Sequence, residues 1–269
     1  MIANRIAGHA NSYHTHPLTD ALEGIAAAGF RYIELSAVRG WTEDIPLDAD
    51  ARALSHIQRQ LNHLALTPIS LSGHSDLTTR EGVALGKQAL DLCDRMGIDL
   101  LNTAIGGHYS ENEDEAAFMG NIHDLADYAA ERGIMIGIEV HGEITSSGRK
   151  AVEVIERIAR DNVRINYDTG NVEFYDGGTK AVDDLAATVP LMVHCHLKDH
   201  IGGARVWNFP ALGAGEVDFK RIFDICVQNE FAGPFSVELE FTGEPFPALD
   251  EVNRAMAASY QHLQSLGVL

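Results

Sequence analysis

A single (β/α)₈ (TIM) barrel of class α/β, spanning residues 1–269, is the fold that the sequence predicts, on three observations. Eight short apolar runs alternate with longer amphipathic stretches from one end of the chain to the other. The centres of these runs lie roughly 27 to 43 residues apart, the length of a strand, a loop and a helix. No linker, low-complexity tract or composition shift interrupts the series. An open, doubly wound sheet is the structural alternative.

The strand-like runs are Asn4–Gly8, Arg31–Ser36, Pro68–Ser72, Leu100–Ile105, Met135–Val140, Val163–Asp168, Met192–Leu197 and Phe235–Glu240. They are nearly continuous in apolar residues, as parallel strands covered on both faces require. Helical patterns fill the gaps at Leu18–Ala28, Asp50–Leu64, Gly82–Met96, Asp114–Arg132, Gly148–Ala159, Lys180–Thr188, Asp218–Asn229 and Asp250–Leu266. In the second of these, Ala53, Leu54, Ile57, Leu61 and Leu64 share one face at the 3.6-residue period. Gly29, Gly97 and Gly133 follow helices and precede strands, which marks them as helix stops.

Composition narrows the function classes. Of 269 residues 45% are hydrophobic, enough for a large core, and 20 Lys+Arg against 39 Asp+Glu leave a formal charge of −19. So acidic a surface repels phosphate backbones and anionic lipid, so neither nucleic acid nor membrane is expected as a partner. No apolar run approaches the ~20 residues that span a bilayer. The start lacks a signal-peptide core. The cysteines Cys93, Cys195 and Cys226 are odd in number and not in CxxC spacing, which points to a reducing compartment. A cytoplasmic enzyme is expected.

In a barrel of this kind, functional groups sit at the C-terminal ends of strands and in the loops that follow. The unusual polar residues fall there: Glu139 and His141 on the fifth run, Asp168 and Asn171 on the sixth, His194, His196 and Lys198 on the seventh, Glu238 and Glu240 on the eighth. Taken alone, a strand-end glutamate can be the partner of an Arg or Lys, and a histidine in an apolar strand can be a hydrogen-bonded core residue. Four such residues on successive strands suggest more, because a carboxylate buried in an apolar strand is costly unless paired or bound to a metal. Adjacent strands lie ~4.8 Å apart, so Glu139, Asp168, His196 and Glu238 can converge on one ion. Three carboxylates and an imidazole suit Mn²⁺ first, then Mg²⁺, Co²⁺ or Zn²⁺. His194 and His196 share a face, and the rimward His196 is the better placed, with His194 deeper as packing or support. Spacing alone leaves Glu238 and Glu240 as rivals.

These segments resemble the xylose-isomerase-like barrel superfamily of sugar isomerases, ketose 3-epimerases, inosose-processing enzymes and metal-dependent AP endonucleases. The matching stretches are IEVHG at 138–142, YDTGN at 167–171, HLKD at 196–199 and SVEL at 236–239. Tyr32-Ile-Glu34-Leu, Ser72-Gly-His74-Ser and the segment from Phe209 to Phe219 are similar as well. The resemblance implies one divalent metal held by Glu139, Asp168, His196 and Glu238, and so favours Glu238 over Glu240. It further implies that Glu139 and Glu238 act as acid and base on a small carbohydrate, moving a proton α to a carbonyl through a metal-stabilised enediolate. His74, His141, Asn171, Lys198, Arg205 and Trp207 are the expected substrate contacts. A homo-oligomer is implied by family habit.

The chain also departs from the epimerase pattern. Asn171 stands where a histidine is usual, Thr145 where a second glutamate is usual, and Gly202 in place of an arginine, with Arg205 nearby. The expected metal centre is therefore retained while the substrate-contacting shell differs. The AP-endonuclease branch needs further ligands. His74 and His108 lie where extra histidines could sit, but Asn171 replaces one ligand and the Asp-x-His pair is missing from Val206–Ala211. The rival readings are an inosose-type dehydratase on the same scaffold and a non-catalytic sugar-binding barrel. Among other features, His9, His14 and His16 read as mouth-loop residues. Trp41 and Trp207 are read as covering a sugar ring or capping the rim, Gly213-Ala-Gly215 as a turn into a helix capped by Asp218, and Cys195 as packing. An unphosphorylated substrate is expected, since no glycine-rich phosphate cradle is present.

Overall fold

The computed structural model describes residues 5–107, 114–241 and 245–269. Eight parallel strands close into a barrel in chain order: β1 (Ile6–His9), β2 (Tyr32–Ser36), β3 (Thr67–Ser72), β4 (Leu100–Thr103), β5 (Met135–Glu139), β6 (Val163–Asp168), β7 (Met192–Leu197) and β8 (Phe235–Val237). Around them run α1 (Leu18–Ala28), α2 (Ala51–His63), α3 (Arg80–Met96), α4 (Glu115–Ala130), α5 (Gly148–Ile158), α6 (Thr169–Tyr175), α7 (Ala181–Thr188), α8 (Phe219–Gln228) and α9 (Leu249–Ser265). No helix among the described residues is long and apolar enough to cross a membrane.

The helices begin where side chains satisfy their first free N–H groups. Asp50, Thr79, Asp114 and Asp218 accept from the backbone N–H three residues on, at 2.8, 2.9, 2.9 and 2.9 Å. The glycine stops at 29, 97 and 133 all have positive φ, the left-handed conformation that closes a helix without a Cβ penalty. One continuous core joins the outer faces of the strands to the helices, with Leu22, Ile25, Phe118, Leu125, Ile155 and Phe223 in it.

Several boundaries shift by one or a few residues from the sequence reading, and two of the shifts bear on the site. β1 ends at His9, which is fully buried inside the barrel and so is no mouth-loop residue. The predicted start of that strand, Asn4, lies outside the described residues, as does His108. β8 stops at Val237, so Glu238 and Glu240 stand on the segment that leaves it. The short helix α6 was not anticipated. It starts because the Asp168 carboxylate accepts the N–H groups of Gly170 and Asn171 at 2.9 and 2.8 Å.

Inside the barrel, a polar layer lies where side chains of a sealed barrel are usually aliphatic. Asn102 donates to Glu34 at 2.8 Å, and His194 lies 2.8 Å from the Asn166 oxygen and 3.0 Å from the Ser236 hydroxyl. All five of these residues have 0% exposure, so each polar atom must find its partner within the protein.

Candidate functional site

Glu139 ends β5, Asp168 ends β6, His196 precedes the last residue of β7, and Glu238 follows β8 directly. Strand pairing keeps them level, with Asp168 opposite His196 and His196 opposite Ser236. One donor atom from each of the four lies within 4.8 Å of all the others. From His196 Nδ1 the distances are 3.7 Å to Glu139 Oε2, 3.8 Å to Asp168 Oδ2 and 3.6 Å to Glu238 Oε2.

Those three carboxylate oxygens are buried, with His74 Nε2 2.9 Å from that of Glu139 and the Lys198 ammonium 3.1 and 3.5 Å from those of Glu238 and Asp168. Buried like charges facing one another are unfavourable unless positive charge stands between them. Lys198 supplies one positive charge against three carboxylates; a hard-to-borderline divalent cation would supply the rest, and three oxygens with one imidazole nitrogen are a suitable donor set. The residues present therefore fit the metal that the sequence led us to expect.

The carboxylates differ electrostatically. Burial raises the Glu139 carboxyl, but His74 and His196 outweigh it and hold the group well below the usual carboxylate range. Glu238, also raised by burial, is pulled down to about 2 by Lys198, His196 and His9. Asp168 goes the other way, because burial outweighs the neighbouring Lys198 ammonium. Burial likewise lifts Glu240 to about 7 against the pull of Lys198.

Most residues singled out as substrate contacts gather around this cluster. His74 Nε2 lies 2.9 Å from Glu139 Oε2, and the Asn171 amide donates to Glu139 Oε1 at 2.9 Å. The Lys198 ammonium is almost fully buried, 3.1 Å from Glu238, 3.5 Å from Asp168 and 2.5 Å from Glu240. His141 lies next to His74, its Nε2 3.0 Å from the Tyr175 hydroxyl, and burial lowers its pKa to about 4, so its imidazole is neutral at neutral pH.

Arg205 is placed differently. It pairs with Glu143 and lies over the Tyr175 ring, half-exposed at the rim. Trp207 is also at the rim, edge-on to Phe174 and Phe209. A cavity of about 300 Å³ opens there, lined by Asn11, His14, Trp41, Trp207, Glu240 and Phe246. It leads to a cleft bounded by Trp41, His74, Glu139, Lys198 and Glu238. Trp41 stacks on the His14 ring at 3.7 Å and donates to Asn11 at 3.0 Å.

Thr145 and Gly202, which stand in place of family residues, have their own roles. The Thr145 hydroxyl bonds the carbonyls of Glu139 and His141 at 2.9 and 2.8 Å, which fixes the turn after β5. Gly202 has φ of 110°, on a loop whose ends are held by a single side chain. The Asp199 carboxylate accepts the N–H groups of His200, Gly213, Gly215 and Val217 at 2.8 to 3.0 Å. A Cβ on Gly215 would come within 2.2 Å of Asp199 Oδ1, so the Gly-Ala-Gly turn is a cradle for the protein's own carboxylate. Asp218 caps α8 as expected.

Sequence reasoning missed Asn11 and, while naming Glu240 and Glu34, gave them no role. Asn11, in the loop after β1, donates to Glu238 Oε1 at 3.0 Å. Glu240 is the nearest partner of Lys198. Glu34 on β2 lies beneath the cluster, 3.1 Å from His196 Nε2. The available signal for Glu34 was a lone carboxylate in the apolar run Tyr32–Ser36, the same signal that marked Glu139.

Comparison with known proteins bears on all of this. A family model described as a xylose isomerase-like TIM barrel matches residues 22–265. The L-ribulose 3-epimerase of Methylomonas sp. (strain DH-1) is 25% identical over 234 residues, 81% of this chain and 77% of that enzyme. The inosose dehydratase of Glaesserella parasuis serovar 5 (strain SH0165) is 28% identical over 148 residues, 48% of this chain and 49% of that enzyme. A xylose isomerase-like TIM barrel protein from Mycobacterium smegmatis, solved in complex with magnesium, superposes with a TM-score of 0.78 at 16% identity, covering 99% of this chain and 97% of its own.

Proposed function

Because the chain belongs to the xylose isomerase-like TIM barrel family, we propose that it is a divalent-metal-dependent sugar isomerase or epimerase. It moves a proton α to the carbonyl of a small keto or aldo sugar or related polyol. The observation that carries this reading is the convergence of buried Glu139, Asp168 and Glu238 oxygens on His196 Nδ1.

Glu139, Asp168, His196 and Glu238 would hold the cation, with Mn²⁺ the first candidate. When bound, the cation polarises the substrate carbonyl and offsets the negative charge that develops on its oxygen. Glu139 and Glu238 arrive from strands separated by β6 and β7, and both are held in the anionic form. One removes the proton beside the carbonyl, and its conjugate acid or the opposite residue returns it. Asn171 and His74 fix the orientation of Glu139, as Asn11 and Lys198 fix that of Glu238. Trp41 and Trp207 at the mouth exclude water from the ring that enters.

The ligand is an uncharged polyol on this reading. Among the described residues lining the cleft and the outer cavity, the cation is Lys198, and three carboxylates surround it. A dehydratase is the second reading, favoured by that same ammonium. It stands 3.1 Å from Glu238, positioned to donate to a departing β-hydroxyl after the same proton abstraction. Similarity to both an epimerase and an inosose dehydratase supports carrying both.

The test is solvent-deuterium uptake into ketoses, aldoses and inososes by metal-stripped and reloaded protein. Metal-dependent label α to the carbonyl, in roughly one-to-one stoichiometry with metal, supports the reading. A conjugated carbonyl absorbing in the ultraviolet identifies the dehydratase. Exchange indifferent to metal removal overturns the metal dependence of both, and no exchange with any of these substrates leaves the non-catalytic sugar-binding barrel.

A further inference from the structure

Glu34 is a carboxylate with 0% exposure in the polar layer below the cluster. Its ion-pair partners among the described residues are three histidines, His9, His194 and His196. A carboxylate in such a place is tolerated only if its lone pairs are filled by well-placed donors. Asn102 Nδ2 donates to Oε1 at 2.8 Å. His9 Nε2 lies 3.5 Å from the same oxygen. Because His9 Nδ1 accepts the Asn11 N–H at 3.2 Å, its proton is on Nε2 and faces Glu34. The other oxygen, Oε2, meets His196 Nε2 at 3.1 Å.

His196 thus has its two ring nitrogens facing two different environments. Nε2 points down at Glu34, and Nδ1 points up at Glu139, Asp168 and Glu238. A neutral imidazole carries one proton, and the nitrogen that carries it cannot bind a cation. We propose that Glu34 is a positioning residue. By accepting the Nε2–H of His196 it selects the tautomer whose Nδ1 lone pair faces the cation site, and it fixes the plane of the ring.

The surroundings of Glu34 are arranged to keep it in place. Asn102, which grips Oε1, has room because position 137 on the neighbouring β5 is glycine. A Cβ there would lie 2.4 Å from the Asn102 oxygen and 3.2 Å from Asn166 Cβ. The Asn166 amide in turn lies 3.3 Å from His196 Nδ1, against the ring. His9, Glu34 and His196 also form a triplet compact enough to hold a second ion. The Asn11 bond to His9 Nδ1 leaves the proton on Nε2, the nitrogen that such an ion would need, and Asn102 already donates to Glu34, which favours the hydrogen-bonded reading.

This inference rests on the metal-centre reading above, and one experiment separates the two. Mn²⁺ and Co²⁺ are titrated into metal-free wild type, Glu34→Gln and Asn102→Ala, with calorimetry for affinity and stoichiometry and with the visible spectrum of the Co²⁺ forms. Thermal melting of each metal-free protein is recorded alongside. The expected result is one ion per chain in wild type, affinity weaker by about 10- to 100-fold in Glu34→Gln, and an altered Co²⁺ ligand-field spectrum, with a cooperative melt retained. Asn102→Ala, which leaves Glu34 in place but ungripped, should weaken binding by a smaller factor. That variant decides the matter if Glu34→Gln does not fold. Wild-type affinity and spectrum in the folded variants overturn the inference while the metal centre stands. Two ions per chain also overturn it, in favour of a second site. Failure of the wild type to bind either ion overturns the metal-centre reading itself.

Discussion

Burial in the helical shell and burial at the rim of the barrel serve opposite ends. Around α3 and α4 the enclosed side chains are Leu90, Leu92, Phe118, Ile122 and Leu125, and each contributes by leaving water. At the strand ends and in the layer just below, the enclosed side chains are Glu34, Glu139, Asp168, His196, Lys198 and Glu238, which lose hydration by being there. The shell holds the fold by apolar area. The rim stays folded because the shell is secure and because each charge has a partner or a cation to face. Stability and chemistry should therefore separate on mutation.

Four changes test that separation, the largest effect first. Glu139→Gln should lower turnover by at least about 10³-fold and weaken Mn²⁺ binding, with the melting temperature of the metal-free protein little changed; steady-state kinetics and a thermal melt read both. A large loss of stability in that variant would break the contrast from the rim side. Phe118→Ala, at a fully buried position on α4, should cost about 3–5 kcal/mol in denaturant unfolding. Its Mn²⁺ affinity, measured on folded protein, should stay within about twofold of wild type.

Asp199→Ala falls between the two classes. It strips one acceptor from four backbone N–H groups and should cost about 2–3 kcal/mol. Its loop carries Trp207 at the mouth, so KM should rise more than Mn²⁺ affinity falls. Asp44→Asn is the smallest and depends on pH. Burial raises the Asp44 carboxyl to about 7, with His9 only partly offsetting it. The folded protein then keeps a proton that the unfolded chain releases above its ordinary carboxylate range. Wild-type stability is lost as pH rises from about 4 to 7 and levels off beyond. The variant has no such loss, so it should match wild type near pH 4 and exceed it by about 1–3 kcal/mol at pH 8 in paired denaturant melts.

The same contrast explains what could be read from the chain. Strand and helix periodicity is set by burial of apolar faces, so the barrel, its eight strands and the glycine stops were legible. Glu139, Asp168, His196 and Glu238 stood out because charged residues at the ends of apolar runs break that pattern. His9 and Glu34 escaped for a related reason. One looked like the first residue of a loop, and the other like a single polar interruption, since the closure that brings β1 and β2 against β7 and β8 is a long-range fact. Gly137 escaped too, because the Asn102 oxygen it makes room for is on another strand. The seven residues of α6 are too few for a period to register. Their start depends on Asp168 already being in place. Arg205 was drawn to the site by its proximity in sequence to Gly202, while its guanidinium is committed to Glu143 and Tyr175.

The Asp199 cradle has an evolutionary consequence. One carboxylate grips only main-chain groups at the two ends of the loop, so no particular side chain between is needed to make those closing bonds. Within that stretch Phe209 and Leu212 are buried, Phe209 under the Lys198 ammonium, whereas Gly203 to Trp207 are exposed, and there substitutions can accumulate while the barrel and the carboxylate cluster are untouched. A change in what the mouth admits should therefore leave its first marks at those exposed positions.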